Sequence, residues 1–561
     1  MNRSETNDHS EVKDPETKAT EAKATETTGK RRQAKKAGAV AAWGVVSGAG
    51  ITLVAAVLVA AGSVFPGPAA AKPFDVQSAQ LPAGQTVTNC VGPAQLLQSS
   101  GAGTDPQFSP ASSTSSNQIS ALVLSDDQST LPTSSLVSLS PEASPLAKIS
   151  SQPNATPSPT PGAAPSLGKA AGLPAKNVAV PSVLRADPVN DRRTPAGAVQ
   201  VFSAQDGDLQ GLAGSSCQAP SNDLWLVGAS TEVGRTAILN ISNSSATPAT
   251  INLDLYGASG QVQSPGARGL LVAPGTNRAI VLAGLAPGQK ELAVHLRSTG
   301  GPVAAVIQQS VLRGLTSGGV ENLSPAAAPN QRQVITGIQA LDPALASKIA
   351  GQSGYQDAQS TLQVAVPGGS DTVVQVKVYG QGGPVALPNG GVFTAKAGSV
   401  TELPLSGLPA GNYTVDLNAD AQMTASVRSV RGSKTGEAID LASSAAAAKI
   451  TDSQVIVLPS GAASKLSFSA PGGAAKLALT PILRNGGILA AKSLDVKAGT
   501  TVMVDPAQLA GPGVAGFLVS ANGDAVYGAQ VVTQAGGNGL AIIGIPRSVV
   551  NQPSMQIALG Y

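Results

Sequence analysis

The sequence predicts an all-β protein of tandem immunoglobulin-like β-sandwich modules, which follow a single N-terminal transmembrane helix. Short segments in which polar and apolar residues alternate recur along the chain, and this period of two is typical of half-buried strands. The 63 Gly and 41 Pro of the 561 residues supply many turns between such strands. Hydrophobic residues make up 42% of the chain, which is enough to fill several sandwich cores.

The N-terminal tail, residues 1–36, combines Glu, Lys and Thr with hardly any apolar residue except Ala. Such a segment cannot bury a core, so we expect a disordered tail. Residues 37–65 contain no charged residue, and a helix of that length can cross the roughly 30 Å of hydrocarbon in a bilayer. Because basic residues cluster at 30–36, the positive-inside rule places the tail in the cytoplasm and the bulk of the chain outside.

A cleaved signal peptide is the alternative to an uncleaved anchor, since Ala69, Ala70 and Ala71 offer small residues for cleavage. The apolar run is longer than the roughly 7–15 residues of a signal peptide, which favours the anchor. The anchored protein is a single-pass protein of the cytoplasmic membrane, whereas the cleaved one is secreted. In both cases the bulk of the chain is exported.

Cys90 and Cys217 are the only cysteines, and both lie in the predicted first extracytoplasmic strand region, residues 72–222. A pair of cysteines in an oxidising compartment most often forms a disulfide, so we predict a structural Cys90–Cys217 bond. Two buried free thiols are the alternative. Within the same region, residues 99–179 are rich in Ser, Thr, Pro and Ala, and this composition predicts a solvated insert.

A weak internal repeat begins after Asp223 and predicts three further sandwiches. Each copy contains alternating strands that are separated by Gly or Pro-Gly turns. The predicted copies span residues 223–325, 332–440 and 450–550.

Two sequence features refine this repeat. Copies 1 and 2 have Tyr256 and Tyr379 where copy 3 has Leu483, which indicates a core or rim position. The segments Leu341–Ile349 and 438–450, which lie between the copies, predict short helices.

Three motifs, Asp223–Gly228 (DLWLVG), Arg235–Asn243 (RTAILNISN) and Val272–Gly275 (VAPG), carry a resemblance to a known family. The sequence resembles an actinobacterial family of membrane-anchored extracytoplasmic proteins that is catalogued as a domain of unknown function. The resemblance covers most of residues 72–550, although Trp225-Leu226 stands where the family pattern is Trp-Phe. It implies an extracytoplasmic protein with no established activity, encoded near cell-envelope glycosyltransferases.

Residues suited to catalysis or to metal binding are sparse. His9 and His295 are the only histidines, so no His-rich metal site is expected, and Cys-rich zinc spacing is absent. There is no G-x-S-x-G elbow of a serine hydrolase. The glutamates of the exported part form no cluster that suggests a glycosidase pair: Glu142, Glu232, Glu291, Glu321, Glu402 and Glu437. We therefore predict no enzyme, no cofactor and no metal.

Two short matches to penicillin-binding enzymes need an explanation. Ser166–Lys169 fits S-x-x-K and Lys434–Gly436 fits K-T-G. The first lies in a Pro/Ala segment rather than at the start of a buried helix, and the second lies in a Gly/Ser turn. We interpret both as chance matches.

The sequence thus predicts a non-catalytic structural or interaction protein of the bacterial cell envelope. Its expected partners are the cytoplasmic membrane and an unidentified envelope protein or glycan. The net charge of +3 is too small to predict that the protein binds nucleic acid. The alternatives are a carbohydrate-binding or adhesion module, which 3% aromatic residues make hard to supply, and an accessory subunit of an envelope glycosyltransferase system.

Overall fold

The computed structural model describes residues 77–80, 83–96, 112–149, 168–388, 390–550 and 554–557. The predicted tail (1–36) and transmembrane helix (37–65) lie outside these residues. In the described part of the chain, no helix has the length and apolar character needed to span a membrane. By its internal contacts the chain divides into two units, of which the second, Ser78–Gln556, holds nearly all of the described residues. The second unit is all-β, as predicted.

Four β-sandwiches, which we call modules A, B, C and D, follow one another in the second unit. Each module has eight principal strand positions in two antiparallel sheets, and in module C one long strand, Gly411–Arg431, fills two of the eight. When the strands are numbered within a module, one sheet has the order 1-6-3-4 and the other the order 5-2-7-8. The predicted sandwich architecture is therefore confirmed.

The predicted immunoglobulin-like strand order is wrong. In an immunoglobulin domain the first two strands share a sheet, whereas here the first strand of each module pairs with the sixth and lies opposite the second. An alternating pattern identifies strands and their buried faces, but it does not determine which strands become neighbours.

Module A forms from residues that the sequence did not assign to a sandwich. Its strands are β2 (Thr86–Cys90), β3 (Ser116–Leu124), β4 (Ser134–Ser138), β5 (Pro145–Lys148), β6 (Ala170–Asn177), β7 (Ser182–Ala186), β8 (Ala196–Ala204) and β9 (Gly211–Ser216), preceded by β1 (Gln77–Gln80). Strands β3 to β6 lie within the predicted solvated insert 99–179, so that prediction is wrong for the described residues of the segment. Small core residues such as Ala121, Ala171 and Ala198 let an Ala-rich segment pack as strands.

Module B lies within the first predicted repeat. Its strands are β10 (Asp223–Ala229), β11 (Arg235–Asn243), β12 (Ala249–Gly257), β13 (Gly260–Val262), β14 (Leu270–Val272), β15 (Thr276–Val281), β16 (Leu292–Gly300), β17 (Ala304–Arg313) and β18 (Thr316–Leu323). Two 3-10 turns, Pro265–Ala267 and Leu282–Gly284, connect some of them.

Module C contains one unusually long strand. Its elements are β19 (Asn330–Ala340), helix α1 (Pro343–Ala350), β20 (Thr361–Val366), β21 (Thr372–Gly380), β22 (Gly383–Val385), β23 (Val392–Ala395), β24 (Ser399–Pro404), β25 (Gly411–Arg431) and β26 (Asp440–Ala445). The first half of β25 pairs with β19 and β21, and its second half crosses to the other sheet to pair with β20 and β26.

Helix α1 matches the predicted helix Leu341–Ile349. Asp342 caps it, because its Oδ1 accepts N–H bonds from Ala344 (3.0 Å) and Leu345 (3.1 Å). The predicted helix over 438–450 is wrong, since β26 occupies much of that segment. Its run of Ala favours a helix only weakly, and pairing with β25 outweighs that preference.

Module D completes the series. Its elements are β27 (Gln454–Val457), β28 (Ala463–Ser469), β29 (Ala475–Leu483), β30 (Lys492–Val496), β31 (Thr501–Val504), helix α2 (Pro506–Ala510), β32 (Val514–Gly523), β33 (Tyr527–Thr533) and β34 (Leu540–Gly544), followed by β35 (Ser554–Ile557).

The four modules close into a ring. Each has its own apolar core, and smaller apolar clusters join A to B, B to C, C to D and D to A. Tyr256 and Tyr379, which occupy the same position in two predicted repeats, both lie at contacts between modules. Tyr256 packs at the B–C interface against Ala365 and Val400, and the carbonyl of Tyr379 accepts a hydrogen bond from Thr501 of module D at 2.7 Å.

Candidate functional site

The eighth strands of the four modules, β9, β18, β26 and β34, meet at one point that we call the hub. Asp440, the first residue of β26, is 1% exposed there. Its Oδ2 accepts the backbone N–H groups of Leu212 and Leu540, each at 2.8 Å. Its Oδ1 accepts those of Val320 at 3.1 Å and Leu441 at 3.0 Å. One carboxylate thus binds one backbone N–H group from every module.

The hub has the donor arrangement that an ionised carboxylate requires. Such a group offers two oxygens with about four lone-pair sites, and each oxygen of Asp440 receives two N–H bonds. Complete burial raises the pKa of Asp440 well above its ordinary value, and the four N–H donors act in the opposite direction. Because a carboxyl proton would point at N–H donors, the geometry fits the charged form.

Glycine immediately precedes the hub donor in the other three modules, at Gly211, Gly319 and Gly539. Gly211 has φ +145° and Gly319 has φ +113°, values that favour glycine. A Cβ atom would lie 2.7 Å from Oδ1 of Asp440 at Gly211 and 2.5 Å from it at Gly319. The backbone therefore approaches Asp440 too closely for a side chain at these two positions.

A polar cavity of about 440 Å³ opens beside the hub, and Asp440 is one of its lining residues. It is surrounded by the loops that precede β9, β26 and β34. The amide side chains of Gln205, Gln210 and Gln534 line it, and the structure records no hydrogen bond for them among the described residues. Together with Asn538, they give the cavity neutral hydrogen-bonding groups, and its charged lining residues are Glu437 and Asp440.

A buried ion-pair cluster joins modules B and C. Nη1 of Arg313 lies 2.5 Å from Oδ1 of Asp357, and Arg235 pairs with the other carboxylate oxygen. The Arg313 guanidinium also lies 4.6 Å from the ring centroid of Tyr355. Burial of Asp357 raises its pKa, but the hydrogen bond from Arg313 and the charges of Arg235, Arg313 and Arg428 outweigh burial and hold the pKa far below its usual range.

Two carboxyl groups contact each other at the same interface. Glu291 of module B and Glu402 of module C are neighbours, because both bind the same Lys290 ammonium group. Nζ of Lys290 lies 2.9 Å from Oε1 of Glu291 and 2.5 Å from Oε2 of Glu402. Burial, together with the neighbouring Glu402, raises the pKa of Glu291 to about 7. Two carboxyl groups held this close repel each other when both are ionised, which favours a proton on one of them.

A family model matches residues 173–507, and its description is a family of unknown function, DUF5719. The chain belongs to this family. The match runs from β6 of module A to α2 of module D and includes Gly211, Gly319 and Asp440. No curated protein and no solved structure is matched. The predicted resemblance to a family of unknown function is confirmed, while actinobacterial origin and membrane anchoring stay predictions.

The predicted disulfide is present in this DUF5719 chain. Cys90 and Cys217 are bonded, with their Cα atoms 4.5 Å apart. The bond joins β2 to the residue that follows β9, next to a backbone bridge between Asn89 and Gln218. It therefore links the first and last strands of module A, across 127 residues of sequence.

Trp225 and His295 stack on neighbouring strands of module B, with ring centroids 4.0 Å apart. Nε2 of His295 lies 3.2 Å from both carboxylate oxygens of Asp223, and its Nδ1 lies 3.6 Å from Oδ2 of Asp254. Trp225 is 6% exposed and packs in the B–C apolar cluster with Tyr256. Within the described residues, no group of three or more His, Cys, Asp or Glu is placed to hold a metal ion.

The second of the chance motifs lies in an exposed turn. Lys434 pairs with Glu437 at 2.8 Å, and Ser433 donates a hydrogen bond to the same carboxylate. Ser166 of the first motif lies outside the described residues. Lys434 is therefore engaged in a surface ion pair.

Sequence reasoning missed the hub. Its signal was the pair Asp440-Leu441, which stands where the other modules have Gly211-Leu212, Gly319-Val320 and Gly539-Leu540. The second predicted sandwich ended at residue 440, where the eighth strand of module C begins.

Proposed function

We propose that this protein is a non-catalytic structural and interaction protein of the bacterial cell envelope, anchored by its N-terminal segment and carrying its modules outside the cytoplasmic membrane. The observation that supports this most directly is the closed ring. Because four sandwiches converge on one buried carboxylate, their loops are held in a fixed arrangement. A fixed set of loops on a rigid scaffold suits recognition of a partner.

The proposed recognition surface is the hub face. We define it as the four loops that precede the eighth strands, residues 205–210, 314–315, 432–439 and 534–539. Leu315 in the second loop is 80% exposed. Val233, at the same end of module B, is 105% exposed. A face that carries both exposed aliphatic side chains and a polar cavity fits a protein partner, in which an apolar contact is surrounded by hydrogen bonds.

The ion pairs between modules B and C also support a structural role. Arg235 and Arg313 pair with Asp357, and Lys290 pairs with Glu291 and Glu402, so these groups bind one module to the next. The Cys90–Cys217 disulfide fits an oxidising compartment outside the cytoplasm.

Cross-linking in intact cells tests the proposal. Tagged wild-type protein, Leu315→Asp and Leu271→Asp are compared, with Leu271 as a 59% exposed control on β14. We expect an envelope protein that is captured by the wild type and by L271D and lost with L315D. Retention of glycan without protein would favour the carbohydrate-binding alternative. Capture of an envelope glycosyltransferase would favour the accessory-subunit alternative.

Protease added to intact spheroplasts tests the location. We expect digestion of the modules and protection of the N-terminal tail. Modules that stay intact until the membrane is lysed would contradict the proposed orientation.

A further inference from the structure

We propose that the hub is a carboxylate-binding site that the chain fills with its own Asp440, and that this internal ligand holds the four-module ring closed. The proposal goes beyond the proposed function, because it concerns how the scaffold is assembled rather than what the scaffold contacts.

The donors of the site have no other reason to converge. Leu212, Val320 and Leu540 lie 228, 120 and 100 residues from Asp440 in sequence, and each belongs to a different module. Their N–H groups all donate to the one carboxylate of Asp440. Convergent N–H groups form an anion-binding concavity, and this one is assembled only when all four modules are in place.

The space at the hub fits a planar carboxylate and little else. Positive φ at Gly211 and Gly319 brings the backbone close, and a Cβ at either position would collide with Asp440. Module C alone supplies a side chain there. Modules A, B and D thus each contribute one N–H group that follows a glycine. Module C contributes both the Asp440 carboxylate and the N–H group of Leu441.

The surroundings of the hub leave the N–H groups as the main partners of the negative charge. Apolar residues of the intermodule clusters surround the site, among them Leu212, Val320, Ala442 and Leu540. In such a setting, a buried carboxylate persists only if it is fully hydrogen-bonded. The ring and the charge therefore depend on each other.

The polar cavity beside the hub gives an outside anion access to the same place. Both Asp440 and Gly211 line that cavity of about 440 Å³. If the Asp440 side chain is removed, a small carboxylate such as formate can enter and bind the vacated N–H groups. Chemical rescue by formate is therefore the decisive prediction.

The experiment uses the full-length protein, purified in detergent, with hydrogen exchange and thermal unfolding as readouts. Asp440→Gly gives module C the residue that the other three modules have. We expect exchange at the segments of Leu212, Val320 and Leu540 to be at least about tenfold faster in D440G than in the wild type. Formate at about 100 mM should restore most of the protection and raise the melting temperature of D440G.

Two variants serve as controls. Asp440→Asn keeps the side-chain volume but points an amide at N–H donors, so it should loosen the ring and gain nothing from formate. Asp254→Asn removes another buried carboxylate, whose Arg268 and Arg297 partners belong to module B. It should leave exchange in modules A, C and D unchanged.

Three results would overturn the proposal. The first is that hydrogen exchange at the segments of Leu212, Val320 and Leu540 is as slow in D440G as in the wild type. The second is loosening of D440G that formate does not reverse. The third is a melting temperature that formate and sodium chloride raise equally, in both D440G and D254N, because this would be a general salt effect. If D440G does not fold, Gly319→Ala, which crowds the intact Asp440, must still accelerate exchange at Leu212 and Leu540. None of these measurements involves a partner, so they are independent of the proposed function.

Discussion

Glu291 of module B and Glu402 of module C are held next to each other across the B–C interface, because Nζ of Lys290 binds an oxygen of each, at 2.9 Å and 2.5 Å. Burial raises the pKa of Glu291 to about 7, from an ordinary value of 4.5. Between these two pH values the folded protein therefore binds more protons at this group than the unfolded chain does. The stabilisation is complete below about pH 4.5 and is lost as the pH rises through about 7.

Replacement of Glu291 by Gln tests this sign. Glutamine reproduces the protonated form, because its amide donates to Glu402 and its carbonyl accepts from Lys290. We expect E291Q to match the wild type near pH 5 and to be more stable at pH 8, by on the order of 1–2 kcal/mol. Urea unfolding at both pH values measures the difference. Glu321, whose pKa burial raises to about 7, contributes equally to both proteins.

The matched control is Glu437→Gln, because Glu437 is an exposed partner of Lys434. Its stability relative to the wild type should change little between pH 5 and 8. If the free energy of unfolding of E291Q changed with pH as that of the wild type does, the carboxyl pair would not share a proton.

Removal of the Asp357 charge should loosen the B–C interface. Asp357→Asn leaves Arg235 and Arg313 buried without their carboxylate, and loss of one partner of a buried ion pair typically costs about 3–5 kcal/mol. The pKa of Asp357 lies below its usual range, so its stabilisation is present above the unfolded pKa and is lost as the pH falls. Urea unfolding of D357N near neutral pH measures this cost.

Asp371→Asn is the control for that experiment. Asp371 forms an exposed ion pair with Lys396 at 2.8 Å, and exposed pairs contribute little to stability. Equal effects of D357N and D371N would contradict a structural role for the interface cluster.

Loss of the disulfide should destabilise module A selectively. The Cys90–Cys217 bond closes a sequence separation of 127 residues, and removal of a native disulfide typically costs about 2–4 kcal/mol. We expect the Cys90→Ala, Cys217→Ala double variant to show faster hydrogen exchange in β2 and β7, with little change in β20 and β21 of module C. Uniform exchange changes in all four modules would show instead that module A does not unfold independently.

Truncation of Tyr379 should weaken the C–D contact. The ring of Tyr379 approaches Gly499 of module D, where a Cβ would lie 3.3 Å from it, and Tyr379 is 7% exposed. Tyr379→Ala should cost about 3–5 kcal/mol, as is typical of a large side chain deleted from a packed site. The control is Val373→Ala, because Val373 lies on the same strand but is 52% exposed. Equal urea midpoints for the two variants would contradict this interface role.

Much of the fold could be predicted from local patterns. Alternation along strands such as Val374–Val378, Gly at turns and the Asp342 cap are local signals, and the structure has strands, turns and a helix at these positions. Module A was missed because its core uses small residues, among them Ala121 and Ala171 of the predicted insert. Their segment therefore has the composition of a solvated linker.

The hub could not be predicted from local signals, because its donors come from strands that meet only in the folded chain. Asp440 begins an Ala- and Ser-rich segment, which gives no local sign of a buried charge. What distinguishes it is the comparison of four repeats, and one of those repeats was not recognised as a sandwich. The roles of Asp357 and Glu402 could likewise not be predicted, because their partners Arg235, Arg313 and Lys290 lie in module B, far away in the sequence.

The apolar cluster between modules A and D has a consequence for synthesis. Leu122, Val199 and Val201 of module A pack against Val455 and other residues of module D, so the earliest part of the ring is covered by the latest. Until the final module has been made, that patch of module A stays bare and open to aggregation. A chain that stops short of module D should therefore need a chaperone to remain in solution, even though its first three sandwiches are complete.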